Sequence, residues 1–483
     1  GGVPSESEVA GNGNRFSAQR FNFANQLFRL RLRTVKMHAD IPAPVCQAQG
    51  NGTADPPAGA GHQCSACLVF VAAHVFWMPA MPAQNRILTG ASLRPGAFLE
   101  ANGLPSPSAE ALRHSGELAE LLQSEIHAGD GWLPFSRFME LALYAPGMGY
   151  YAAGAAKFGS AGDFVTAPGI SPLFGAALAR QVADILAQGG GEILELGAGE
   201  GTLATQVLLE LENLDVPPVP YRILEPSPDL QTRQRNTLER HCPALAHRVE
   251  WIHTLPDKLS GVVLANEVLD ALPVHRIAWR EAGPVELGVG WRDGAFSWTE
   301  RPIASQELRA RAMQMPMAPG YQSEISLAGP ALVRTLGGAL ECGALLFIDY
   351  GFGRREYYHP ERTDGTLMCH FRHRAHDDVF LYPGLQDISA HVDFSTLADT
   401  GMTSGLDVLG FATQAQFLLN CGILDLLSRT SAEDAVRYLP LAAGMQKLLS
   451  PAEMGELFRV LALGKGLAPP LRGFRSGDKS RSL

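Results

Sequence analysis

Four hundred and eighty-three residues, 46% apolar and 18% charged, make a chain long enough to bury a sizeable core and too polar to be mostly membrane. A formal net charge of −10 excludes a nucleic-acid binder that works through a broad basic surface, because phosphate neutralisation needs clustered Lys and Arg. Seven cysteines, an odd number thinly spread, exclude a secreted disulfide framework and point to reduced thiols in a cytoplasmic setting.

Residues 1–100 carry eight Lys and Arg against five Asp and Glu, whereas the other 383 carry 31 against 44, so the first hundred look foreign to the rest. NGNRF, QAQGNGTADPPAGAGHQ and SLRPG are turn and linker material, and residues 1–104 are expected to be a low-complexity, disordered extension. Arg15, Arg20, Arg29, Arg31, Arg33 and Lys36 lie in a stretch without an acid from Val9 to Ala39, which offers a mitochondrial transit peptide as the alternative to a cytoplasmic location. The apolar run Leu68 to Met81 is fourteen residues, broken by His74 and Pro79 and short of the roughly 20 that span a bilayer, so no integral membrane segment is expected. Cys64 and Cys67 form a CxxC without a second ligand pair, and no metal is assigned.

Order begins near Pro105. Ser106 or Ser108 caps a helix whose apolar face is Leu112, Leu118, Leu121, Leu122 and Ile126. A second helix, LPFSRFMELALY, stops at Ala145-Pro146-Gly147, and a glycine-rich stretch follows. After ALARQVADILAQ, apolar strands and helices alternate: EILELG, LATQVLLELENL, YRILEP, SPDLQTRQRNTLERH, VEWIH and GVVLANEVLD. That alternation predicts a parallel sheet covered on both faces. VELGVGW and AFSWTE around Arg292-Asp293-Gly294 predict a hairpin with a type I′ turn, and two helical stretches lie near the C-terminus before a disordered tail, 466–483.

The first strand runs into Gly197-x-Gly199-x-Gly201, where bare backbone turns sharply and approaches a ligand. The dinucleotide fingerprint would place glycine at 202, where Thr202 stands, which disfavours a nicotinamide oxidoreductase. Glu195 within E-x-G-x-G-x-G suits S-adenosyl-L-methionine, whose amino-acid end is cationic. Glu225, at the tip of the second strand, is placed to accept from both ribose hydroxyls. Asn266, Glu267 and Asp270 leave the end of the fourth strand, where ligands of open α/β sheets lie.

GDFVTAP at 162–168, ELGAGEG at 195–201, LANEVLDALPVHR at 264–276, IDYGFGRREYYHPERTDGTL at 348–367 and QDISAHVDF at 386–394 resemble the MidA family. That family includes a mitochondrial assembly factor that methylates an arginine on a core subunit of respiratory complex I. The likeness runs from about Pro105 to about Arg459 in consistent order. It implies an α/β class I methyltransferase: a Rossmann-like, seven-stranded, mostly parallel sheet over 105–465, with an added mostly helical region and the β-hairpin insertion. It implies S-adenosyl-L-methionine as cofactor, and a partner protein with an acceptor arginine as substrate. Gly162, Asp163 and Phe164 fall on the family's cofactor-covering loop, Gly197, Gly199 and Gly201 on the cofactor loop, and Glu225 on the ribose acid. Gly169 stands where the family commonly carries an acid, which leaves a cofactor-binding assembly factor with weak catalysis as the alternative.

A guanidinium is charged and delocalised, so a pocket that makes one nitrogen nucleophilic should be acidic. The candidates are Glu267, Asp270, Glu324, Asp349 and His391 as catalytic groups, with Asp387 and Asp393 nearby in sequence. His359, His370, His373 and His376 lack a closed ligand set. The oligomeric state is left open, a homodimer included.

Overall fold

The computed structural model describes residues 104–153 and 166–483. The expected extension, the arginine-rich segment, the CxxC pair and Gly162, Asp163 and Phe164 lie outside the described residues.

The central sheet is built from β1 (Glu192–Leu196), β2 (Tyr221–Leu224), β3 (Val249–Ile252), β4 (Leu259–Asn266), β5 (Leu340–Phe352), β6 (Asp407–Thr413) and β7 (Phe458–Lys465). Their spatial order is 3-2-1-4-5-7-6, and β7 runs against both of its neighbours. β2 and β3 lie on one side of β1 and β4 on the other, all parallel, so the crevice at the carboxyl ends of β1 and β4 is the topological switch point. The middle of β4 is buried throughout and reads as a continuous apolar run, while β1, buried from Ile193 to Leu196, carries Glu195 inward among apolar residues. Val392–Asp393 pairs in parallel with Gly351 and Phe352, the last residues of β5, and so carries His391 beside that strand.

The helices supply the faces. α1 (Ala109–Ala128) is capped by Ser108, whose Oγ accepts from the Ala111 N–H at 3.2 Å. Leu118, Leu122 and Ile126 are buried as the spacing predicts, but Leu112, in the first turn, stays 45% exposed. α2 is Phe135–Tyr144, α3 Pro172–Gly189, α4 Thr202–Asn213 and α5 Pro228–His241. α3 and α4 close one side of the sheet with Phe174, Leu178, Val182, Leu203 and Val207 in one core.

The added region is richer in strand than the resemblance implies. The hairpin Gly283–Arg292 with Ala295–Pro302 turns at Asp293 and Gly294, both at positive φ (54° and 79°), as a two-residue type I′ loop requires. Gly283–Arg292 also pairs with His275–Arg280 and Leu133–Pro134, and His275–Arg280 with Gln322–Ile325, giving a five-stranded antiparallel sheet. A three-stranded sheet of Met368–Phe371, Arg374–His376 and Asp387–Ser389 stands beside it. Aromatic rings hold these pieces: Phe138 lies edge-on to Phe296 and Phe380 at 5.7 and 5.5 Å.

The tail 466–483, expected to be disordered, is packed. Phe474 is buried against Phe417, the Phe411 N–H donates to Asp478 Oδ1 at 2.9 Å, and the Lys479 N–H donates to the Phe411 carbonyl. These contacts occupy the otherwise open edge of β6, which explains why a polar, glycine-containing sequence is ordered.

Candidate functional site

The crevice has two halves. In the first, β1 ends in Gly197, Gly199 and Gly201 at φ of 65°, 52° and 82°, a left-handed run that side chains rarely tolerate. Gly201 starts α4, and a Cβ there would lie 3.2 Å from the Gln234 Cα. Gln234 is fully buried in an otherwise polar helix, α5. Its Nε2 donates to the Gly199 carbonyl at 2.9 Å and to Glu225 Oε2 at 3.1 Å, and its Oε1 accepts from Trp251 at 2.7 Å. One amide thus ties the glycine loop to the acid at the tip of β2 and to β3. Nothing in the spacing singles Gln234 out except that it is a polar residue on the inward face of α5.

Glu195 and Glu225 are both buried, and both are pushed up to about 7 because burial penalises the charged form. The Tyr221 hydroxyl donates to Glu195 Oε2 at 2.7 Å, and the Ser227 N–H donates to Glu225 Oε1 at 2.9 Å, which partly offsets the penalty. Ser227, not Glu225, caps α5. Glu225 therefore keeps spare lone pairs for further donors.

The second half is acidic. Asn266 leaves β4 with its Oδ1 buried and without a partner, and its Nδ2 donates to Glu267 Oε1 at 3.0 Å. Glu267 sits at a φ of 54°, a strained position for a residue with a side chain, and also accepts from the Ala167 N–H at 3.3 Å. Asp349 holds this turn: its Oδ2 accepts from the N–H groups of Val268, Leu269 and Asp270 at 3.0, 2.7 and 3.3 Å, and its Oδ1 from Tyr350 at 2.8 Å. Asp349, expected to be a catalytic acid, thus has its lone pairs committed to backbone and acts as a brace.

Asp270 is different. It is 1% exposed, and neither carboxyl oxygen has a well-formed hydrogen bond; only the adjacent Ala271 N–H lies close enough to offset part of its burial. Burial, with Asp349, Asp387 and Glu267 around it, pushes its carboxyl well above the usual range. Asp387 is fully buried and accepts from the Tyr151 hydroxyl at 2.9 Å. Tyr151 lies in the glycine-rich stretch, where its role was not legible. Asp393 caps the helix Phe394–Thr403 through Thr396 and is structural.

Glu324 and His391 do not join Asp270. They line a separate cavity of about 410 Å³ that no residue of the glycine loop, nor Glu225, Asn266, Glu267 or Asp270, enters. Among the described residues no group of three or more His, Cys, Asp and Glu is arranged to hold a metal, and no helix is long and apolar enough to cross a membrane.

The strand order, the glycine loop after β1 and the acid after β2 define a class I S-adenosylmethionine-dependent methyltransferase. Residues 177–412 match the family of S-adenosyl-L-methionine-dependent methyltransferases. The "Protein arginine methyltransferase NDUFAF7 homolog, mitochondrial" of Drosophila melanogaster is 30% identical over 405 residues, covering 75% of this chain and 88% of its own. The human protein arginine methyltransferase NDUFAF7, also mitochondrial, is 30% identical over 369 residues, covering 69% and 80%. A crystal structure from Burkholderia thailandensis, bound to S-adenosyl-homocysteine, is 49% identical with a TM-score of 0.77, over 79% of this chain and all of that one. The chain belongs to the MidA family of S-adenosylmethionine-dependent methyltransferases.

Proposed function

We propose that the protein transfers a methyl group from S-adenosyl-L-methionine to an arginine side chain of a partner protein. The observation that carries this reading is Asp270, a buried carboxyl with no side-chain donor and no well-formed hydrogen bond, flanked by Glu267 and Asp387. A buried acid without a donor is costly unless a ligand supplies one, and a guanidinium brings several in a fixed plane. The names of the Drosophila and human relatives support the same acceptor.

The residues present fit the cofactor. Glu225 would take the ribose hydroxyls, Glu195 would face the cationic amino-acid end, the bare glycines would admit close approach, and the unpartnered Asn266 Oδ1 would accept a donor. When bound, the cofactor supplies a methyl group on an electrophilic sulfonium. Glu267 and Asp270 would grip two guanidinium nitrogens, localise the charge and leave the third nucleophilic. Asp270, raised by burial and by neighbouring acids, is the group placed to take the proton released on transfer. Burial of the cluster excludes competing water.

The resemblance extends this reading to a subunit of respiratory complex I as acceptor, and the relatives' mitochondrial names favour that compartment over the cytoplasm. Gly169, exposed on the short helix Ala167–Ile170, keeps a second reading in play: an assembly factor that binds cofactor without turnover. Incubating the chain with methyl-labelled cofactor and candidate complex I subunits, followed by mass spectrometry, separates the two. Methylarginine on the partner is expected. Tight cofactor binding with no methyl transferred to any protein fraction would replace the first reading by the second.

A further inference from the structure

The cavity that holds Glu324 and His391 is not explained by the transfer reaction. Its lining includes four carboxylates and three guanidinium groups. All three arginines already have acid partners: Arg311 and Arg334 lie 3.3 and 3.8 Å from Glu307, and Arg354 lies 2.7 Å from Asp399 and 3.9 Å from Asp393. The acid left over is Glu324. It is fully buried, its Oε2 accepts from the Thr366 N–H and hydroxyl at 2.7 and 3.0 Å, and its Oε1 has no partner.

Arg276 offsets part of the burial cost through its charge but gives Oε1 no hydrogen bond. Arg276 is opposite Glu324 in the sheet register, but its guanidinium is bonded to Asp364 and lies over the Trp298 ring at 4.7 Å. His391 adds a second polar atom, Nδ1, without a partner. Burial and the nearby Arg362 guanidinium lower His391 to about 4, so the ring itself is neutral near pH 7. Leu269, Val274, Ile325 and Leu397 give the cavity apolar walls. Apolar walls with one buried carboxylate oxygen that lacks a hydrogen-bond donor suit a long aliphatic stem that ends in a cation.

We propose that this cavity is a second, non-reacting subsite that receives a basic side chain of the acceptor protein beside its target arginine. The identity of the ligand as acceptor protein rests on the functional reading above. The preference for a cation rests on the cavity alone. Because Leu269 both lines the cavity and donates its N–H to Asp349, a side chain bound there abuts the turn that carries Asp270. The consequence is selectivity for arginines with a basic neighbour.

The test is calorimetric titration of the full chain with N-acetyl-arginine amide and with its uncharged isostere, N-acetyl-citrulline amide. The variants are Glu324→Gln, Arg334→Glu and Asp270→Asn. In wild type the arginine amide should bind about 10-fold tighter than the citrulline amide, the size of one charge-assisted contact. Asp270→Asn removes the arginine preference of the reactive site and should leave the Glu324-dependent one, and adding Glu324→Gln to Asp270→Asn should abolish what remains. Arg334→Glu, on the exposed rim, should widen the preference about threefold and keeps the test decisive if Glu324→Gln does not fold. In the Asp270→Asn background, a preference indifferent to Glu324→Gln or to Arg334→Glu, or no preference at all, would overturn the subsite. Glu324-dependent binding in a chain that methylates no arginine supports the subsite and counts against the functional reading only.

Discussion

Glu225 and Asp270 are both buried acids at carboxyl ends of strands in the same sheet, yet their surroundings are opposite. Glu225 accepts from Ser227 and Gln234, so the protein holds its carboxylate in place before any ligand arrives. Asp270 is placed rigidly by its backbone, its N–H donating to Asp349 and its carbonyl accepting from Ala390 at 2.9 Å, while its side chain is left without a well-formed hydrogen bond. On the proposed reading, the half around Glu225 is pre-organised for a neutral sugar, and the half around Asp270 is kept short of donors that a cation would bring. A site that was only structural would have satisfied Asp270 from within.

The largest effect expected from disturbing this division is at the brace. Asp349→Ala strips an acceptor from three buried N–H groups and should cost about 3 kcal/mol of stability in urea unfolding. A loss under about 1 kcal/mol would mean that Asp349 does not hold the turn. On the cofactor side, Gly201→Ala forces a side chain into a left-handed conformation against Gln234 and should cost about 2 kcal/mol, together with weaker cofactor binding. An unchanged melting temperature would remove the glycine argument.

Glu225→Gln should weaken S-adenosylmethionine binding about 10-fold, the value of one hydrogen bond to a charged acceptor. The pH dependence sharpens the comparison. The carboxylate is the form that accepts from hydroxyls, and Glu195 and Glu225 both stand near 7 in the free protein. Wild-type affinity should therefore rise as pH passes from about 6 to about 8, and the slope should flatten in Glu225→Gln. An affinity independent of pH in wild type would contradict this. The smallest effect is at the tail, where Asp478→Ala removes one hydrogen bond to the β6 edge and should cost about 1 kcal/mol.

The cofactor half was largely legible in the sequence because its signals are local. Gly197, Gly199 and Gly201 follow a strand directly, and Glu225 ends the next one. Gln234 was not legible, since its importance arises only when α5 folds back over the loop. At the half proposed for the acceptor, the sequence offered the acids but not their grouping. Asp349 and Asp270 are 79 positions apart and meet only through the β4 and β5 pairing, which decides which one is bonded to backbone. Glu324 and His391 share their composition with the cluster, and register alone sends them to another cavity. The tail looked disordered because its polarity was visible while the uncovered strand edge that orders it was not.

The central claim, that Asp270 waits for an arginine and not for the cofactor, is tested most directly by one paired measurement. Wild-type and Asp270→Asn proteins are compared for cofactor affinity by calorimetry and for methyl transfer to an arginine-containing acceptor by mass spectrometry. The account predicts equal cofactor affinity, no loss of stability, and transfer reduced by about 10²-fold or more. Transfer that survives Asp270→Asn, or a matching loss of cofactor binding, would contradict it.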